Sequence, residues 1–312
     1  MKIGLQIPRF HWPGNSEDIG VKLAEIGKTA DQSGFYSLWV MDHFFQVEQG
    51  YGAYDEPMLE AYATLSYMAA VTERIKLGTM ATSSLYRHPG VLVKTVTTLD
   101  VVSGGRAILG IGAGWYRRES EGLGIKFPAS LDEYVGRFKE NILIARHMWS
   151  DDRSPFIGKY YKLNEPVCRP QPISKPHPPI LIAGGGEKKT LRFVARYGDA
   201  CNFHLGAHPK LKGYPESAYD SYQTRIERLT HKMNVLRRHC KRENRDYGEI
   251  EVTLLAPLEI SDDGLTPDEV IEMCEELAGI GVDQIIFNMP NDHEIVPIEV
   301  IGDEIIPIVA RL

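Results

Sequence analysis

Four short stretches of the chain combine residue types and spacings that could do chemistry. The first is Trp39-Val-Met-Asp42-His43-Phe44. A histidine transfers protons near neutral pH, and an acid, Asp42, stands beside it. The second is Gly78-Thr79-Met80-Ala81-Thr82-Ser83, whose small and hydroxylated residues let a flat ligand approach the backbone. A plain strand-to-helix turn would explain it equally well. In the third, Gly110, Gly112 and Gly114 alternate and strip one face of side chains. A flat ring could fill that face, or tight backbone packing could need it. The fourth, Gly184-Gly185-Gly186-Glu187, precedes a helix. Such a turn aims backbone N–H groups at an anion, with phosphate as the natural ligand, although glycine also serves tight turns. His204, Asn288 and Met289 end later strands, where they could face substrate. The basic run from Arg225 to Arg245 reads as a solvated helix face.

These stretches are useful only if the fold gathers them. Short apolar runs, read as strands, fall near 2–8, 37–42, 75–85, 106–112, 179–183, 200–204, 250–260 and 284–289. Amphipathic segments read as helices alternate with them, among them 17–33, 57–71, 131–149 and 222–240. Ser16 is expected to cap the first helix and Gly34 to end it in a left-handed turn. Pro89 opens another helix, Thr266-Pro267-Asp268-Glu269 has the capping-box pattern, and Pro307 should kink or shorten the last helix. Residues 150–177 break the rhythm and read as an inserted hairpin and loop. Eight strands alternating with eight helices predict one α/β domain over 1–312, a single (β/α)8 TIM barrel with insertions. No Gly-x-Gly-x-x-Gly follows the first strand, which removes the usual reason to prefer an open doubly wound sheet. In a barrel the active site lies where strands end and loops begin. All four stretches stand at such ends.

Composition narrows the function classes. The 312 residues are 43% apolar and 25% charged, values of an ordinary globular protein. A net charge of -7 argues against nucleic acid or an acidic membrane as the main partner. Cys168, Cys201, Cys240 and Cys274 form no Cys-x-x-Cys pair, so neither a metal site nor a disulfide framework is expected. No apolar run approaches the ~18 residues of a membrane span, and the N-terminus lacks a signal-peptide core. A cytoplasmic protein is expected.

The motifs also look familiar together. Trp39-Val-Met-Asp-His-Phe44, Tyr86-Arg-His-Pro89, Thr98-Leu-Asp-Val-Val-Ser-Gly-Gly-Arg106, Leu109-Gly-Ile-Gly-Ala-Gly-Trp115 and Pro178-Pro-Ile-Leu-Ile-Ala-Gly-Gly-Gly-Glu187 occur in order across most of the chain. In them the chain resembles the bacterial-luciferase-like superfamily, and within it the oxidoreductases that use the deazaflavin coenzyme F420. The resemblance implies a cofactor lying across the strand ends, ring inward and phosphate outward, and hydride transfer to or from a small organic substrate. It implies that His43 handles a proton beside the ring and that Asp42 contacts the cofactor. It implies a non-proline cis peptide between Met80 and Ala81 behind the ring, a polar contact from Ser83, and backbone contacts from Gly184, Gly185 and Gly186 to the phosphate. Relatives often form homodimers. Trp115-Tyr-Arg-Arg-Glu119 departs from the acidic stretch of the sugar-phosphate-oxidising relatives, and their cationic sugar-phosphate pocket has no counterpart we could place. Two alternatives keep the fold: an FMN-dependent monooxygenase, and a non-catalytic flavin-binding barrel. A hydrolytic barrel would need paired carboxylates, and Asp42, Glu187 and Asp292 form no evident pair.

Overall fold

The computed structural model describes residues 1–14, 16–48, 50–207, 220–261 and 263–312. In chain order its strands are β1 (Lys2–Ile7), β2 (Ser37–Val40), β3 (Lys76–Thr79), β4 (Thr82–Ser83), β5 (Ala107–Gly112), β6 (Phe156–Ile157), β7 (Lys162–Leu163), β8 (Ile180–Ala183), β9 (Ala200–His204), β10 (Glu251–Pro257) and β11 (Gln284–Asn288). Eight of them, all parallel, close a barrel in the order β3-β2-β1-β11-β10-β9-β8-β5. The ring closes where β3 meets β5, at Leu77 opposite Ala107 and Gly78 opposite Ile108. The predicted (β/α)8 barrel is thus the observed one.

The helices are α1 (Ile19–Gln32), α2 (Ala61–Val71), α3 (Pro89–Val102), α4 (Arg117–Gly122), α5 (Leu131–Trp149), α6 (Thr190–Tyr197), α7 (Tyr222–Glu243), α8 (Pro267–Gly279), α9 (Val296–Val300) and α10 (Ile306–Val309). They ring the barrel because the strands are apolar on both faces, as parallel strands must be. Leu5, Leu38, Val40, Leu77, Leu109 and Ile182 belong to the layer packed against helices. Trp39, Met80, Ile108, Leu181, Ala200 and Ile286 fill the barrel itself.

Trp39 is the plug. Its Nε1 donates to Ser37 Oγ at 2.7 Å. A Cβ on Gly78 would lie 2.5 Å from its ring, and one on Gly110 would lie 3.2 Å from it and 1.9 Å from the Thr79 carbonyl oxygen. Those glycines are absent side chains traded for one indole. Polar side chains complete the interior above it. Asn288 Nδ2 donates to Gln6 Oε1 at 2.6 Å, and Gln6 Nε2 to the Met80 carbonyl at 3.1 Å.

Several local readings change. Ser16 does not cap α1: Ser16–Asp18 form one 3-10 turn, which moves the helix start to Ile19, and Asp18 at the N-cap makes no side-chain cap bond. Gly34 does take the left-handed conformation, at φ 86°. The second helix starts at Ala61 rather than Pro57, because Glu60 caps it by accepting from Ala63 N at 2.7 Å. The long third strand is two pieces, β3 and β4, separated at Met80–Ala81. The six residues of α4 were not foreseen. The insertion is a hairpin, β6 antiparallel to β7, followed by a loop. Before Pro307 the chain passes through a π turn, Ile301–Ile305, since a proline cannot donate the next helical bond.

Candidate active site

A cleft of about 390 Å³ opens at the C-terminal ends of the strands. That volume is in the range of small-molecule sites. Its floor is small and apolar: Met80, Ala81, Ala183, Leu255 and the bare backbone of Gly112. The Met80–Ala81 peptide is cis. A Cβ on Gly112 would touch only the Ala81 methyl, at 3.8 Å, so space lies directly above it. Of the three alternating glycines only Gly112 opens that space. Gly110 serves the plug, and Gly114, at φ 86°, turns the chain against Ser83 Oγ.

His43 lines the cleft, but Asp42 is not its partner. Neighbouring residues leave the end of β2 in different directions. His43 Nδ1 bonds Glu119 Oε1 at 2.5 Å. The same carboxylate accepts from Tyr86 OH and, through Oε2, from the N–H groups of Phe44 (2.7 Å) and Phe45 (3.2 Å). Glu119 is fully buried. Burial pushes its carboxyl up, but the bonds from His43, Tyr86 and Phe44 outweigh this and hold it below the usual carboxylate range. An ionised carboxylate only accepts, so the His43 Nδ1–H faces Glu119. Among the described residues Nε2 has no hydrogen-bond partner. Burial and the Glu119 charge push the Tyr86 hydroxyl well above its ordinary value. Glu119 is the residue that sequence reading missed. Its signal was present: it closes the Trp115-Tyr-Arg-Arg-Glu119 segment, on the helix α4 that went unread.

Asp42 is buried beside the cleft and gripped by Arg87 through two bonds, Nη1 to Oδ2 at 2.7 Å and Nη2 to Oδ1 at 2.9 Å. Burial pushes its carboxyl up, against the pull of the guanidinium. Arg87 also bonds Glu60, tying the site to the cap of α2. Ser83 donates its N–H to Asp42 Oδ2 at 3.3 Å, while its hydroxyl oxygen accepts from Leu85 N. Trp115, half exposed, stands at the cleft, edge-on to His43 with ring centroids 5.7 Å apart.

At the other end the β8–α6 turn borders the cleft. Gly184, at φ 114°, donates its N–H to the Asn202 carbonyl at 3.1 Å. Gly184 lines the cleft and Gly185 lines a smaller one beside it. Gly186 instead packs on Thr190, where a Cβ would lie 2.7 Å from the hydroxyl oxygen. Glu187 anchors the turn to α7, accepting from Lys232 Nζ at 2.7 Å. His204 lines the smaller cleft. Asn288 and Met289, which could have faced substrate, are both buried, Asn288 bonded to Gln6 inside the barrel and Met289 in the layer packed against helices. Asp42, Glu187 and Asp292 form no carboxylate pair: the first bonds Arg87, the second Lys232, and the third has His293 Nδ1 4.0 Å from its Oδ1. Among the described residues no three His, Cys, Asp or Glu side chains are grouped to hold a metal, and no helix is long and apolar enough to cross a membrane.

A profile of the luciferase-like monooxygenase family matches residues 1–263. The chain belongs to that family. Among curated members of this luciferase-like family, an F420-dependent glucose-6-phosphate dehydrogenase of Kineococcus radiotolerans is 35% identical over 57% of this chain and 50% of its own length. The chain thus spans about half of that relative. One of the same description from Nakamurella multipartita is 25% identical over 96% of both chains. Solved structures share the fold. The monooxygenase RslO1 of Streptomyces bottropensis superimposes with a TM-score of 0.78 at 20% identity, covering 98% of this chain and 99% of its own. The coenzyme F420-dependent tetrahydromethanopterin reductase of Methanopyrus kandleri gives 0.75 at 19% identity, covering 98% of both.

Proposed function

We propose that this protein is an oxidoreductase that moves a hydride between coenzyme F420 and a small organic substrate, with His43 carrying the accompanying proton. The observation that supports it best is the geometry of His43. Its Nδ1–H is fixed on buried Glu119, and the ring lines a cleft with a flat, side-chain-poor floor. The F420-dependent relatives support the same cofactor.

The residues present suit a deazaflavin. Met80, Ala81 and Gly112 offer a flat platform with room above it, Asp42 and Ser83 line its edge, and the Gly184–Gly185 turn borders the outer end. When bound, the deazaflavin supplies a carbon centre that accepts or donates a hydride. The protein does the rest. His43 Nε2 takes the proton that an alcohol loses on oxidation, or returns it in the reverse direction. Glu119 steadies the imidazolium formed in between. Trp115 and Tyr86 screen the reacting face from water. Glucose 6-phosphate, named for the relatives, is the first substrate to assay, followed by simple secondary alcohols.

The test is to titrate the purified protein with oxidised F420 and, separately, with FMN, following cofactor fluorescence and thermal stability. Preferential F420 binding is expected. Preferential FMN binding with oxygen consumption overturns the proposal in favour of a monooxygenase, and tight binding without turnover on any donor points to a non-catalytic barrel. His43→Ala should keep F420 affinity and lower kcat by roughly 10²–10⁴-fold. Full activity in that variant removes His43 from the chemistry.

A further inference from the structure

Beside the central cleft lies a second one of about 260 Å³. Gly184 and Asn202 line both, so the two adjoin at the glycine turn. The far wall is α7, which contributes Arg225, Leu229 and Lys232, spaced four and three residues apart on one helix face, and the exposed Arg228, paired with Asp220 at 2.5 Å. The basic run expected to be a solvated face therefore lines this cleft with three cations, of which Arg225 alone is buried.

Arg225 is the unusual one. It is only 4% exposed. Its Nη1 donates to the Ala207 carbonyl at 2.8 Å, and its guanidinium lies 5.3 Å from the Tyr222 ring centroid. Among the described residues Nε and Nη2 have no hydrogen-bond partner, and no carboxylate bonds them. A buried guanidinium without an anion is unfavourable, and Nε with Nη2 is the edge that grips a carboxylate or phosphate in two parallel bonds. Next to it, a Cβ on Gly185 would lie 3.7 Å from Lys232 Cε, so glycine keeps the backbone bare on the side facing that cation.

We propose that this second cleft is an oxyanion subsite for the acidic tail that F420 carries beyond its ring and ribityl chain, and that the Nε/Nη2 edge of Arg225 is its fork. This rests on the F420 reading above and adds to it a determinant of cofactor choice. FMN ends at its phosphate, whereas F420 continues into a chain of carboxylates. A subsite beyond the glycine turn therefore favours the longer cofactor.

The test measures dissociation constants of F420, FMN and the deazaflavin riboside lacking phosphate and tail, for wild type, Arg225→Met and Arg225→Lys. Arg225→Met should weaken F420 by roughly ten- to a hundredfold, the span of a lost charge-assisted hydrogen bond or pair. The riboside should bind as before, and Arg225→Lys, which keeps the charge without the fork, should fall between. Unchanged F420 affinity in a folded Arg225→Met overturns the subsite. So does equal weakening of F420 and riboside, which would mark Arg225 as structural. Should Arg225→Met not fold, Arg225→Lys carries the same comparison. If wild type binds neither deazaflavin, the F420 reading itself fails. The thermal shift with glutarate and with inorganic phosphate then decides. Stabilisation that depends on Arg225 keeps an oxyanion subsite for another ligand, and its absence removes the subsite too.

Discussion

At the scale of single residues, Glu119 does two jobs with one carboxylate. One oxygen orients His43 and Tyr86; the other ties down two backbone N–H groups of the loop that carries His43. Glu119→Gln keeps the shape but loses the charge that steadies an imidazolium. It should lower kcat by roughly ten- to a hundredfold with F420 affinity unchanged, in steady-state assays beside a cofactor titration. A matching loss of cofactor affinity would give Glu119 a merely structural role. The same carboxyl also links stability to pH. Its pKa is lower folded than unfolded, so its contribution is whole above the ordinary carboxylate value and is lost as pH falls below it. Melting temperatures on the acid side should therefore fall more steeply in wild type than in Glu119→Gln.

At the scale of elements, β5 shows what a glycine is for at two positions two residues apart. Gly110→Ala would drive a methyl into the Thr79 carbonyl and should destabilise the fold by roughly 1–3 kcal/mol. Gly112→Ala meets only the Ala81 methyl at 3.8 Å and should be close to neutral in denaturant unfolding. Equal losses would contradict the assignment of one glycine to packing and the other to the cleft. The other end of β5 makes a separate point. Arg106, buried, donates to Ser103 O, Thr72 O, Ala69 O and Ile75 O, closing the C-terminus of α2. Arg106→Met should cost about 2–4 kcal/mol in unfolding free energy and leave F420 affinity intact. The segment ending in Arg106 helped to place the family yet sits at the barrel end opposite the cleft. A motif can identify a fold by what stabilises it rather than by what it catalyses.

The element scale also explains what the sequence disclosed. Strand periodicity, proline at Pro89 and the Thr266 capping box are local signals, and the barrel follows from them. The partners of His43 and Asp42 are not local: Glu119 and Arg87 lie 76 and 45 residues away in the chain. Sequence adjacency suggested Asp42 as the partner of His43, whereas the two meet different partners because successive side chains leave the end of β2 in different directions. Arg225 was hidden for the same reason, since a basic helix reads as solvated until another element covers it.

At the scale of the whole molecule, the seam between the first and last barrel strands holds a buried carboxyl. Asp292, just beyond β11, is fully buried with His293 Nδ1 4.0 Å from Oδ1, and burial pushes its carboxyl up to about 8 against the charge of Arg9 and weaker contacts with Trp12 and the His293 N–H. A folded pKa above the unfolded one means stability that is whole in acid and drains away as pH rises from about 4 toward 8. Asp292→Asn should therefore match wild type near pH 4 and exceed it at pH 8, by an amount on the order of a few kcal/mol. Thermal melts across that range check it, and a gain that does not vary with pH rules it out.

The placement of the indoles gives the molecule a built-in optical probe. Trp12, Trp39 and Trp149 are buried, and Trp115 alone among the four is exposed, at the cleft and against His43. Iodide, which quenches by collision, reaches that one lamp and leaves the other three lit. Whatever enters the cleft shades it, so the unlabelled protein reports its own occupancy in the colour and quenching of its ultraviolet emission.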